Sequence, residues 1–281
     1  MGRSPLADRF AAEREQRGRP GSCPWIHRYS RLRESEGLVR TLTGGRAGCA
    51  VSPDGTWIVS AGRGSTRRDN TLKIWDAVTG TERATLTGHT SSVWGCAVSP
   101  DATWIVSASE DGTLKIWDAD AGTERATLTG HTGSVWGCAM SRDGTWIVAA
   151  SADGTLRIWD VAIGAERAVL VLPGKACGEA FHPSTPMVAC GDSGRGVHLA
   201  HLVGIGFGPL VVTAAARGDE LTARCPACRE AFPIERDSLG TETTCPRPAC
   251  GTRLRLNPFT LHSAKRDAGR SWPWLRRGRN R

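Results

Sequence analysis

A segment of 42 residues recurs along the middle of the chain. That distance separates His89 from His131 and Trp117 from Trp159. Each complete copy opens near Gly-His and closes on Trp-Asp, from Gly88-His89 to Trp117-Asp118 and from Gly130-His131 to Trp159-Asp160. A unit of this length holds about four short strands, too few to bury both faces of its own sheet, so the copies must stack on one another. The period is that of a β-propeller blade. It makes a repeat scaffold the leading reading and lowers the standing of an enzyme.

The repeats divide as 39–80, 81–122, 123–164 and 165–203. Alternating apolar positions and β-branched residues predict strands over 93–99, 104–108, 113–118 and 124–128, with turns at Pro100-Asp101, Asp111-Gly112 and Ala121-Gly122. Val98, Ile105, Val106, Leu114 and Ile116 are expected to fill the layers between blades. The outer copies are degenerate. Repeat one has Gly44-Gly45 in place of Gly-His and an insertion between Ala61 and Asp69; repeat four has Gly174-Lys175, and its Trp-Asp has become Ala200-His201. Terminal repeats of open arrays tend to be atypical. Three outcomes stay open: a small closed ring, an open arc, or an arc completed by another chain, including a homo-oligomer. An arc is favoured, as is a fold class of all-β blades, about four, beside a small β module.

Leu-Thr-Gly-His, Ser-Pro-Asp or Ser-Arg-Asp, Ser-Ala-Ser, Asp-Gly-Thr-Leu and Ile-Trp-Asp all occur here, and on these motifs the span 39–203 resembles the WD40 repeat family. The resemblance implies a structural hydrogen-bond network in each blade. In repeat two it falls on His89, Ser107 or Ser109, Asp111 and Trp117; in repeat three on His131, Asp153 and Trp159, with Ala149 at the first serine position and Ser151 at the second. Repeat one has Ser60, Asp69 and Trp75 but no His. The chemistry of the residues agrees: a carboxylate, an imidazole and an indole can satisfy one another when buried together, and half-satisfied they would be costly. Acid–base catalysis by His89 or Asp111 is disfavoured because they recur once per blade. Gly191 to Gly196 is glycine-rich but lacks the Gly-Lys-Ser/Thr ending of a phosphate loop.

Four of the ten cysteines form a second pattern, Cys225-Pro-Ala-Cys228 and Cys245-Pro-Arg-Pro-Ala-Cys250. Two pairs separated by a hairpin-length segment fit tetrahedral thiolate binding of Zn²⁺. The unit 221–258 has few apolar residues, so a metal would supply much of its folding energy. It resembles a zinc ribbon. Structural zinc is preferred to disulfides, and four thiolates leave no open position for a catalytic water. Cys49, Cys96 and Cys138 align in the first strands and read as core thiols.

Residues 1–38 read as a largely disordered leader with a capping candidate at Cys23-Pro24-Trp25-Ile26, 204–220 as a connector, and 259–281 as a basic tail. The net charge of +8 is carried by the two ends, about +4 over 1–40 and about +6 over 265–281. Arg63, Arg67 and Arg68 form a basic loop that could meet an acidic partner, although a solvated hairpin tip is the plainer reading. No apolar run reaches membrane-spanning length, and the first twenty residues lack a signal-peptide core; a cytoplasmic location and no membrane partner are expected. The preferred function is a non-catalytic scaffold for a protein or peptide partner with an accessory zinc module. The alternative is nucleic-acid binding through the ribbon and tail.

Overall fold

The computed structural model describes residues 42, 47–62 and 70–262. The leader 1–38, Asp69, Arg63, Arg67, Arg68 and the end of the tail, 263–281, lie outside the described residues.

Three four-stranded antiparallel sheets follow one another. Blade 1 holds β1 (Cys49–Val51), β2 (Trp57–Ala61), β3 (Leu72–Asp76) and β4 (Glu82–Leu86). Blade 2 holds β5 (Val93–Val98), β6 (Trp104–Ser109), β7 (Leu114–Asp118) and β8 (Glu124–Leu128). Blade 3 holds β9 (Val135–Met140), β10 (Trp146–Ser151), β11 (Thr155–Asp160) and β12 (Ala165–Val171). The strands expected in repeat two fall within about a residue of these bounds. The Asp-Gly turns close as they do because Gly112 and Gly154 take φ of 84° and 82°, a region costly for any side chain.

Blade 4 differs. It has only three strands, β13 (Ala176–Phe181), β14 (Met187–Asp192) and β15 (Val197–His201). In blades 1 to 3 the fourth strand comes from the start of the next period. After β15 the chain instead leaves for another sheet.

The core is laid down between blades. Trp57, Val59, Leu72 and Ile74 of blade 1 meet Val93, Ile105 and Trp117 of blade 2. Trp104, Val106, Leu114 and Ile116 of blade 2 meet Val135, Ile147 and Trp159 of blade 3. Val148, Leu156 and Ile158 of blade 3 meet Ala176, Val188 and Cys190 of blade 4. Each fully buried Leu or Ile contributes roughly 1.5–3 kcal/mol, so these layers dominate the stability of the array. Among the described residues no core layer joins blade 4 to blade 1.

The remaining strands form one five-stranded sheet in the order β18-β17-β16-β20-β19. They are β16 (Leu210–Arg217), β17 (Glu220–Arg224), β18 (Ala231–Ile234), β19 (Glu242–Thr244) and β20 (Arg253–His262). The structure differs here from the expected connector over 204–220 and module over 221–258. The apolar run is the sheet's central strand, with Leu210, Val211, Val212 and Ala214 buried, and β20 runs parallel beside it. Nor does the module stand apart. The buried Asn257 donates from Nδ2 to the Pro100 carbonyl (3.0 Å) and to Thr213 Oγ1 (2.8 Å). Gly208 N donates to Asp143 Oδ2 (2.6 Å), Val211 N to the Arg142 carbonyl (3.0 Å) and Trp146 Nε1 to the Gly206 carbonyl (3.1 Å). The sheet is thus fastened to the hairpin turns of blades 2 and 3.

One half-buried carboxyl breaks the blade pattern. Glu179 of β13 occupies the position that Cys96 and Cys138 hold in the first strands of blades 2 and 3. Its carboxylate lies against Gly137, where a Cβ would come within 2.6 Å of Oε1. Oε2 is shut off from solvent and has no hydrogen-bond partner. Burial pushes the Glu179 carboxyl up from 4.5 to about 7. A raised carboxyl pKa means that the folded state holds its proton more tightly than the unfolded state. Its contribution is therefore full below about pH 4.5 and is lost as pH rises through about 7. Glu179→Gln removes the titration. Its melting temperature is expected to match the parent near pH 4.5 and to exceed it at pH 8, by a free energy on the order of 2 kcal/mol; an equal difference at both pH values would refute this account of Glu179.

Candidate functional site

The residues of the expected network meet most completely in blade 2. His89 leads into β5, Ser107 lies in β6, Asp111 lies in the β6–β7 turn and Trp117 is in β7. His89 Nδ1 is 2.8 Å from Asp111 Oδ2, and His89 Nε2 is 2.8 Å from Ser107 Oγ. Trp117 Nε1 donates to the same Ser107 Oγ at 2.8 Å. Directionality follows from the indole, which can only donate. Ser107 accepts from Trp117 and gives its own proton to His89 Nε2, and Nδ1–H gives to Asp111. A neutral imidazole satisfies every member. Ser109, the other serine candidate, turns to the carbonyls of Ser91 and Ser92 (3.2 and 3.1 Å) and accepts from Asp111 N (3.1 Å). Burial works to raise the Asp111 carboxyl, but hydrogen bonds from His89, Thr113 and Thr90 outweigh it and hold it well below the usual range.

Serine to histidine to aspartate is also the connectivity of a hydrolase triad, which the sequence motifs did not announce. Here it cannot act as one. Ser107 has no exposed surface, and the Trp117 indole occupies the side from which a substrate would approach its hydroxyl. A nucleophile must reach its electrophile, and this one faces the interior.

The other blades hold incomplete versions. In blade 3, His131 Nδ1 is 2.9 Å from Asp153 Oδ2, and Thr155 donates to Asp153 at 2.6 Å. Ala149 stands where Ser107 would be, and both His131 Nε2 and Trp159 Nε1 are buried without a partner. Ser151 instead donates to the Gly133 carbonyl and accepts from Asp153 N. Burial lowers the His131 pKa, keeping the ring neutral against the pull of Asp153. In blade 1, Trp75 Nε1 donates to Ser60 Oγ at 2.8 Å.

A further recurring pair escaped the motif reading. Each Trp-Asp aspartate receives an Arg seven residues on: Asp76 with Arg83 (2.5 Å), Asp118 with Arg125 (2.6 Å) and Asp160 with Arg167 (3.3 Å). The signal was present in the spacing. These pairs are exposed, and each adds little to stability.

The second site is the cluster of Cys225, Cys228, Cys245 and Cys250, whose four sulfurs lie within 4.8 Å of one another. Each pair comes from a tight turn. Cys225 N bonds the Glu230 carbonyl and Arg229 N bonds the Cys225 carbonyl; Cys245 N bonds the Thr252 carbonyl and Cys250 N the Arg247 carbonyl. Cys225 and Cys245 are buried among Ala223, Phe232, Leu254 and Leu256. Across the pairs, Cys225 Sγ to Cys250 Sγ is 3.8 Å and Cys228 Sγ to Cys245 Sγ is 3.6 Å. Such separations are far too long for a disulfide. Four sulfurs about 2.3 Å from a tetrahedral ion would lie about 3.8 Å apart. The Thr252 hydroxyl, 3.0 Å from Cys250 Sγ, helps hold that thiol below its usual pKa. The donor set fits a soft divalent cation.

Two measurements follow from these geometries. Ala149→Ser supplies the missing hydroxyl to two buried groups and is expected to raise the stability of the array by about 1–2 kcal/mol, while Ser107→Ala orphans two and lowers it by about 2–4 kcal/mol; chemical denaturation reads both, and a destabilising Ala149→Ser would refute the equivalence of the two sites. Metal analysis of the purified full chain is expected to find one equivalent of a divalent ion per chain, and Cys228→Ser with Cys245→Ser to abolish it.

Comparison with known proteins fits this geometry. No curated protein matches the chain. Among solved structures, the crystal structure of the computationally designed Ika4 protein is similar, at 26% identity and a TM-score of 0.50, over 58% of this chain and 96% of that one. The family described as WD domain, G-beta repeat, matches residues 37–76, 80–118 and 122–160, so that this part of the chain is similar to three successive repeats of that family.

Proposed function

We propose that the chain is a non-catalytic scaffold whose blades present a protein or peptide partner with a preformed surface, and that its cysteine module carries a structural Zn²⁺. The observation that supports it most is how the reactive side chains are used. Histidine, serine, aspartate and tryptophan bond one another in the interior, fully in blade 2 and in part in blades 1 and 3, which leaves recognition to the blade surfaces and loops. Trp94 and Trp136, half-buried on neighbouring inner strands, offer aromatic area of the kind enriched in binding hot spots. Lys175 lies over Trp136 at 6.0 Å from the ring centroid. Zinc is the best match to four thiolates at tetrahedral spacing. Nine free thiols among the described residues suit a reducing compartment such as the cytoplasm. No helix among the described residues is long and apolar enough to cross a membrane.

The nucleic-acid alternative draws on the basic tail. In the module itself, Arg224, Arg229, Arg247, Arg253 and Arg255 are offset by Glu220, Glu230, Glu235, Asp237 and Glu242, which favours the scaffold reading. Selection of displayed random peptides on the full chain separates the two. Selected peptides are expected to bind a chain ending at His262 as well as the full chain, and to lose about tenfold in affinity with Trp136→Ala. Oligonucleotide binding that weakens steeply with salt and vanishes on that truncation, with no peptide selected, would overturn the proposal.

A further inference from the structure

The three junctions of the array share one construction. Each rear face presents a pair of aliphatic side chains from the third strand, and each front face presents an isoleucine or valine from the second strand of the next blade. In blades 1 to 3 the rear pairs are sealed: Leu72 and Ile74 are 0% and 2% exposed, Leu114 and Ile116 are 0% and 5%, and Leu156 and Ile158 are 0% and 2%. The same positions in blade 4 are Val197 and Leu199, and they are 77% and 71% exposed. The opposite end is open in part: Trp75, the counterpart of Trp117 and Trp159, is buried, but the aliphatic positions beside it are not sealed. Ile105 and Ile147 on the front faces of blades 2 and 3 are fully buried, whereas Ile58 of blade 1 is only half-buried and its neighbour Val51 is 59% exposed. The row of described blades thus ends in the two halves of the junction that it builds three times.

A missing strand coincides with the open rear face. Among the described residues β15 pairs with β14 alone. In blades 1 to 3 the outer strand immediately precedes the first strand of the next blade, with the sequence Glu82-Arg83-Ala84-Thr85-Leu86 in blade 1, Glu124-Arg125-Ala126-Thr127-Leu128 in blade 2 and Glu166-Arg167-Ala168-Val169-Leu170 within that of blade 3.

We propose that a second copy of this chain covers these faces. Two copies related by a two-fold axis place the rear of blade 4 of each against the front of blade 1 of the other. The result is an eight-blade ring, within the range known for propellers. A two-fold pairing closes both open junctions at once and leaves no further face for growth. The occupant is argued from continuity: the surface each face was built to meet is already written in this chain, three times over. The cysteine module is fastened to the turns of blades 2 and 3 and is not part of either face. This assembly does not depend on which partner the scaffold binds.

Native mass and light scattering on the full chain at micromolar concentration test it. The expected result is a dimer of about twice the 30.0 kDa chain mass. Leu199→Asp and Val51→Asp change exposed positions, so circular dichroism should show both folded, yet each should weaken the dimer at least about tenfold, because a charge would be buried at both junctions. An equimolar mixture of the two variants should recover part of the association, since the rear face of the Val51→Asp chain and the front face of the Leu199→Asp chain are intact. A monomer, species larger than a dimer, a dimer indifferent to Leu199→Asp, or a mixture no better than either variant alone would each overturn the proposal.

Discussion

No blade of this chain can bury both faces of its own sheet, and the rest of the molecule follows from that constraint. A four-stranded sheet of five- or six-residue strands is a slab one layer thick. It becomes stable only where a second slab lies on it, about 10 Å away. The repeated Leu–Ile pairs of the third strands are apolar because a neighbour covers them, and the β-branched second strands are apolar for the same reason. Position in the array, rather than residue type, decides burial. Leu199 is chemically equivalent to Ile116, and one is exposed while the other is sealed.

The polar network sits inside this apolar frame and serves a narrower purpose. Its three bonds in blade 2 are each worth about 1 kcal/mol net, less than the burial of the Trp117 ring alone. What the network adds is orientation. His89 ties the loop before β5 to the β6–β7 turn through Asp111, and Thr90 N joins the same carboxylate at 3.0 Å. The loops at that end of the blade are therefore held by side chains, not by sheet pairing. Blade 3 shows the hierarchy. It forfeits the serine, leaves two buried groups unpartnered and still stacks in full register, because the aliphatic layers on both sides remain whole.

Much of this was legible in the sequence, for identifiable reasons. The period of 42 residues and the alternation of apolar positions placed the strands of the complete repeats, since both are set by local geometry. His89, Ser107, Asp111 and Trp117 could be grouped because the same spacing returned in the next copy. The Cys225–Cys250 cluster was legible because metal-ligand spacing is also local. What escaped was non-local. Glu179 occupies a core position in blade 4, and nothing in its immediate neighbours tells that Gly137 of another blade makes room for it. The run 204–220 read as a connector because its partner strand, Arg253–His262, lies some forty residues away and pairs in parallel. The docking of Asn257 on Pro100 spans 157 residues and has no sequence signature.

That docking gives the cysteine centre a reach beyond its own turns. β20 carries Leu254 and Leu256 on the cysteine side and Asn257 on the blade side, one residue further along. A stretch of strand this short, from Leu256 to Asn257, transmits position, because successive residues on opposite faces cannot turn independently. The four sulfurs fix the ends of β17 and β20. β20 fixes Asn257, and Asn257 holds the turn at Pro100 through a hydrogen bond that is shielded from water and hence costly to break. On the neighbouring blade Asp143 is held by its own turn, through the Ser141 hydroxyl and the backbone N and hydroxyl of Thr145, and by Gly208 N from the module. The module therefore clamps the turns of two successive blades to one rigid sheet, and the angle between blades 2 and 3 is set from outside the array as well as by the packing within it.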